Sequence, residues 1–165
     1  MNAGAAATTV LVAGRHVIRI SAHESTKRYS VDVVVTIDGV QCAPRTEPEW
    51  RDLRFGTAGD TFYWWSARRV TVHPLSTPSS PARVIDIDHD EILLVFLLAD
   101  AWMIVCETSV LAVTADGAMS LFNLGEVILD ARVEDEDVVF VDFNGKVWRL
   151  RFDGSTLSLV DSDGG

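Results

Sequence analysis

The stretch VVFVDFNGKVWRLRF, Val138 to Phe152, decides the fold. Two apolar alternations flank Asn144-Gly145, the dipeptide that signals a two-residue type I′ hairpin turn with both central residues at positive φ. In its second half Trp148, Leu150 and Phe152 fall on one face and Arg149 and Arg151 on the other, so the first face is expected inside and the second in solvent. Asp153-Gly154 follows as the next turn, and Asp116-Gly117 and Asp38-Gly39 mark two more.

Working outward, short runs rich in Val, Ile, Thr, Phe and Trp recur between Gly, Asp, Asn and Pro. They predict strands over 9–13, 16–21, 30–37, 61–66, 69–73, 83–87, 91–98, 102–107, 110–114, 120–122, 127–133, 138–143, 146–152 and 156–160. The run 92–105 is continuously apolar, and periodicity alone does not separate a buried strand pair from a helix there. The stretches 40–48 (VQCAPRTEP), 56–59 (GTAG) and 74–83 (PLSTPSSPAR) read as loops, the last of them exposed.

Shifting residues 91–121 by 37 lays them without a gap on 128–158: Asp100 meets Asp137, Val110 meets Val147, and Asp116-Gly117 meets Asp153-Gly154. A shift of 40 sets Asp60 under Asp100, Val70 under Val110 and FYWW (Phe62 to Trp65) under WMIV. Such periods resemble β-propeller blades, four-stranded sheets of about 40 residues, over roughly residues 50–160. The Gly-His and Trp-Asp dipeptides of WD repeats are absent, so the resemblance implies a fold and carries no functional residue with it. The expected architecture is all-β, an antiparallel meander of blade-like units forming a partial propeller or two packed sheets. It is a single domain over 1–165, with an N-terminal β-hairpin region over 1–49 and the blade-like repeats over 50–160.

With 165 residues, 48% of them hydrophobic, the chain can bury a core without disulfide or metal. Cys42 and Cys106 are 64 positions apart with no CxxC spacing, and the apolar flank of Cys106 suggests a buried, inert thiol in a reducing compartment. The first fourteen residues lack the basic start of a signal peptide, and the longest apolar run, 92–99, is far short of a ~20-residue span. A soluble, cytoplasmic protein is expected, with no indication of its oligomeric state.

The net charge of −10 is unevenly spread. Up to Arg83 there are ten Lys+Arg and seven Asp+Glu; from Val84 onward there are four and seventeen. An acidic field of this kind attracts basic proteins and repels nucleic-acid phosphates. Its first focus is Asp86-Ile-Asp88-His89-Asp90-Glu91, which reads as a solvated turn, an opportunistic divalent site or a surface for a basic partner; the EF-hand spacing fails for want of Gly and Glu at the required places. The second is Glu134, Asp135, Glu136 and Asp137, which either guards a sheet edge by repulsion or presents four carboxylates to a Lys/Arg-rich ligand.

Nucleophile elbows, HExxH and a phosphate loop are all missing, so no catalytic residue, metal site or cofactor is assigned. In Phe62-Tyr63-Trp64-Trp65 rings point to both faces of one strand. If both faces are covered the cluster is core; if one is open, Tyr63 and Trp65, with Arg68 and Arg69 beyond, form a platform for a sugar, a peptide or a protein anchor. The function these features suggest is a non-enzymatic acidic module that binds a basic protein, most concretely an immunity-type protein neutralising a toxin such as a nuclease. A sugar- or peptide-binding β-domain using the aromatic platform is the alternative. Neither nucleic acid nor membrane is expected as a partner.

Overall fold

A computed structural model describes residues 7–25, 30–48, 53–88 and 90–163, and none of them is helical. The chain divides into two compact units, Met1–Asp86 and Ile87–Gly165, each built from two antiparallel sheets. In the first unit one sheet runs β1 (Ala7–Ala13), β2 (His16–Glu24), β3 (Ser30–Ile37) and β4 (Val40–Gln41), with β5 (Arg45–Pro48) also paired to β3. The other sheet is β6 (Arg54–Ala58), β7 (Thr61–Ser66), β8 (Arg69–Pro74) and β9 (Arg83–Asp86). The second unit repeats the four-strand meander twice: β10 (Ile92–Leu98), β11 (Ala101–Cys106), β12 (Ser109–Val113) and β13 (Met119–Asn123), then β14 (Ile128–Glu134), β15 (Asp137–Asp142), β16 (Val147–Phe152) and β17 (Leu157–Asp163). The continuous apolar run is thus the β10–β11 hairpin.

Strict alternation explains β3, whose Val31, Val33, Val35 and Ile37 all point inward. With Ile18 and Ile20 they pack against Phe62, Trp64 and Leu75 of the second sheet. In the other unit Met103, Val105, Val110 and Ala112 meet Val138, Phe140, Leu150 and Phe152. Each fully buried aliphatic or aromatic group contributes ~1.5–3 kcal/mol, so these layers dominate the stability of their units. Leu75 also ties down the start of the 74–83 loop, which is therefore not wholly exposed, and the Cys42 thiol donates to the Pro78 carbonyl at 3.5 Å. Both cysteines are free and buried, and burial pushes the Cys106 thiol up to about 12.

Three strands were not legible as such. β4 and β5 occupy the expected loop at 40–48, and β6 runs through Gly56 and Thr57. Gly56 faces Tyr63 across the pair, where the aromatic ring takes the space of a side chain. The repeat is present, with one adjustment. The 40-residue shift holds through both hairpins: Ala58↔Thr61 matches Leu98↔Ala101, and Trp65↔Val70 matches Val105↔Val110. The 37-residue shift needs a gap, because the connection closed by Val141↔Val147 has one residue more than that closed by Val105↔Val110.

That extra residue also changes the turn. The Gly145 N–H donates to the Asp142 carbonyl at 2.9 Å and Gly145 alone adopts positive φ, at 80°, while Asn144 does not. The loop is a type I turn closed by a left-handed glycine rather than type I′. The type I′ signature, two adjacent positive φ values in a two-residue loop, occurs instead at Asp38-Gly39 (51° and 83°) and at Ala99-Asp100 (48° and 61°).

Candidate functional site

The acidic residues divide into those consumed by the fold and those presented to solvent. On the face of β14–β16 turned away from the core, Arg132 Nε contacts Glu134 Oε1 at 2.7 Å and Arg149 Nη2 contacts Glu134 Oε2 at 2.8 Å. Arg149 Nη1 reaches Asp137 Oδ2 at 3.3 Å, and Arg151 Nε reaches Asp137 Oδ1 at 2.7 Å. Hydrogen bonds from Arg151 first, then Arg149, hold the Asp137 carboxyl below the usual carboxylate range, and Arg132 and Arg149 do the same for Glu134. Strand alternation causes this split: Glu134 and Asp137 are the closing pair of the β14–β15 hairpin, whereas Asp135 and Glu136 are its two-residue tip and are exposed.

Asp90 is likewise internal. Its Oδ2 accepts from Thr108 N (2.9 Å), Thr108 Oγ1 (3.0 Å) and Ser109 Oγ (2.9 Å), and its Oδ1 from Glu91 N (2.9 Å), which clamps the β11–β12 turn. Asp142 plays the corresponding part at the β15–β16 turn: Oδ1 accepts from Asn144 N and Lys146 N, and Oδ2 from Trp148 Nε1 at 2.9 Å. Asp86 pairs with Arg69 at 2.6 Å in the first unit. Asp88 and Glu91 are exposed, and His89 lies outside the described residues.

Within the second unit, Asp88, Asp90 and Glu91 therefore do not form one patch with Glu134 to Asp137. Ile128 N donates to the Glu107 carbonyl, so β14 starts at the end of the unit where Asp90 holds Thr108. It finishes at Glu134, six residues on, or ~20 Å at the usual strand rise. What gathers at that far end is a different set. Four of the second unit's six hairpin turns emerge there, and each carries an exposed carboxylate: Asp100, Asp116, Asp135 with Glu136, and Asp153, of which Asp116 also accepts from Ala118 N and Asp153 from Ser155 N and Thr156 N. Asp116 and Asp153 were read in the sequence only as turn residues, and Asp100 only as a position of the repeat. Three of the four cations after Val84 are engaged in the ion-pair lattice, and the fourth, Lys146, sits 4.0 Å over the Trp148 ring by the opposite turn.

The aromatic platform is not open. Tyr63 is 7% and Trp65 6% exposed, and their rings stack on one another at 5.9 Å. Phe62 and Trp64, on the other face, belong to the first unit's core. All four rings are buried, so this cluster is core. Among the described residues no group of three or more His, Cys, Asp or Glu is arranged to hold a metal ion, and no helix is long and apolar enough to cross a membrane.

No known protein family and no curated protein matches the sequence. Solved structures do match its fold. A chain of the mitotic checkpoint complex aligns over 90% of this one with a TM-score of 0.57 at 11% identity. HIRA(644-1017) aligns over 98% at 0.50 and 13%, and BBS1N, solved in complex with ARL6DN, over 94% at 0.51 and 13%. This chain spans about half the length of each, 50%, 54% and 52% respectively. At these identities the likeness concerns fold alone, and with the four antiparallel sheets, three of them four-strand meanders, it makes this an all-β chain of β-propeller-type, blade-like units.

Proposed function

We propose that the chain is a non-enzymatic, protein-binding β-domain that docks a basic partner against the hairpin-tip end of its second unit. In its most concrete form it is an immunity-type protein that covers and neutralises a cationic toxin such as a nuclease. The observation that carries this reading is the set of exposed carboxylates on four neighbouring tips, Asp100, Asp116, Asp135 with Glu136, and Asp153, while nearby arginines are engaged with Glu134 and Asp137. Rim carboxylates of this kind speed encounter with a basic surface through their summed field. The commitment of Asp90 and Asp142 to turn clamps, and the burial of Cys106, leave these groups to structural work and favour binding over catalysis. Two of the solved chains of similar fold come from assemblies, the mitotic checkpoint complex and a complex with ARL6DN, which agrees with a protein partner.

The test measures association of the full chain with a panel of basic nucleases across ionic strength. Neutralising the tips together (Asp100→Asn, Asp116→Asn, Asp135→Asn, Glu136→Gln, Asp153→Asn) is expected to slow association about tenfold or more at low salt. Asp88→Asn with Glu91→Gln, at the other end, is the control. Unchanged association of the tip variant, or a loss confined to the control, overturns the proposal.

A further inference from the structure

Between the two sheets of the first unit lie three buried polar atoms without a hydrogen-bond partner: Arg45 Nε, Thr71 Oγ1 and His73 Nδ1. The strand registers bring them together. Arg45 and Glu47 pair with Val33 and Val31 on β3, so they share the face that points into the core. On β8, Arg69, Thr71 and His73 share the face of Ser66, Trp64 and Phe62, which looks back at the first sheet. Glu47 fixes how the two rows meet: its Oε2 accepts from Ser66 at 3.0 Å and its Oε1 from Arg69 at 3.2 Å. Arg45 then lies toward His73, whose ring it influences electrostatically, with Thr71 between the two ends.

The chemistry of the three atoms is settled by their neighbours. Trp64 Nε1 donates to His73 Nε2 at 3.4 Å, and an indole N–H cannot accept, so the neutral imidazole carries its hydrogen on Nδ1. Arg45 Nε is a donor only, and the Thr71 hydroxyl can donate. Glu47, the carboxylate of this layer, is already shared by Ser66 and Arg69. Thr71 is 0% and His73 2% exposed, so bulk water does not satisfy them. Each orphaned donor costs ~1–3 kcal/mol, and three on the facing rows of β5 and β8 are all met by one common acceptor.

We propose that a monovalent anion of halide size, chloride, binds between β5 and β8, accepting hydrogen bonds from Arg45 Nε, Thr71 Oγ1 and His73 Nδ1. Two obligatory donors and a guanidinium charge favour an anion over a water molecule, which would accept from Arg45 and His73 and donate to Thr71 Oγ1 but bring no charge to meet the guanidinium. A tetrahedral oxyanion would need more donors than these three. Bound there, the anion joins the two sheets and adds to stability in proportion to the logarithm of its concentration once the site is saturated.

The test uses the full chain. At constant ionic strength, replacing gluconate, too large to enter, by chloride is expected to raise the melting temperature and to move the His73 titration in NMR spectra upward. A crystal soaked in bromide should show an anomalous peak within hydrogen-bond distance of Arg45, Thr71 and His73. Thr71→Val keeps the shape and removes one donor, and should weaken the chloride dependence about tenfold; Arg45→Met should abolish it. Superimposable chloride and gluconate melting curves for the wild-type chain, or an ordered water without anomalous signal at that position, would overturn the proposal, and neither outcome depends on whether a variant folds.

Discussion

The ring of Tyr63 occupies the place where a side chain on Gly56 would stand: a Cβ built there lies 2.6 Å from the Tyr63 Cζ and Oη. These atoms are the hydroxyl end of a side chain that cannot swing aside, because it is buried, 7% exposed, and its ring is stacked on Trp65. Glycine is thus required within β6 by close approach and not by backbone conformation.

Gly56→Ala should accordingly destabilise the first unit by ~1–3 kcal/mol, as overpacking of a filled core does. Chemical denaturation measures it, and the double variant Gly56→Ala/Tyr63→Leu should recover part of the loss by removing the ring.

Ala99 sits at φ 48° in the β10–β11 turn, a conformation that costs a residue with a Cβ about 1 kcal/mol. Ala99→Gly or Ala99→Asn is expected to raise stability by up to ~1 kcal/mol, seen as a higher denaturation midpoint.

At the β15–β16 turn the Asn144 N–H donates to Asp142 Oδ1 at 2.9 Å, and Gly145 adopts φ 80°. Asn144→Pro removes the donor and Gly145→Val forces a β-branched residue into the left-handed region. Each should cost roughly 1–3 kcal/mol. Asn144→Ala is milder, since no left-handed conformation is needed there, and near-equal melting of Asn144→Ala and Asn144→Pro would contradict the type I geometry.

His73 titrates at about 4, held down by burial and then by the Arg45 charge. Because this is below the ordinary value, the unfolded chain takes up a proton that the folded one refuses between about pH 6.5 and 4. The stability tied to the neutral ring is present in full above that window and falls with pH through it, by up to ~1.4 kcal/mol per unit. Asp90 and Asp137, both held low, keep their contribution until the pH drops below the ordinary carboxylate range. Denaturation of wild type and His73→Gln across pH 7 to 4 should show a shallower slope for the variant.

How much of this was legible depends on how far apart the interacting groups lie along the chain. Period-two alternation and turn residues are local, so β3 and β7 were readable to the residue, and the strands of the second unit to within one or two except at the end of β17, which runs three residues further than read. The blade repeat was legible for the same reason. β5 and β6 were not, because their strand character comes from partners: β5 pairs back onto β3, and β6 needs Tyr63 to cover its glycine. The turn at Asn144-Gly145 was misread because Asp142, through its side chain, selects a longer loop than the dipeptide suggests.

Charge shows the same division. The sequence by itself determined that the C-terminal half is acidic, a sum over residues, and that the chain is all-β, a pattern among near neighbours. Which carboxylates face a partner was decided only by the tertiary structure. Neighbours in sequence, Glu134 and Asp135, went to opposite fates, one to an arginine lattice and one to a hairpin tip. Asp100, Asp116, Asp135 and Asp153, spread over two thirds of the unit's length, were brought to one end. The physical reason is that strand direction reverses at every turn, so the end of a sheet collects residues from alternate turns and no linear window can contain them.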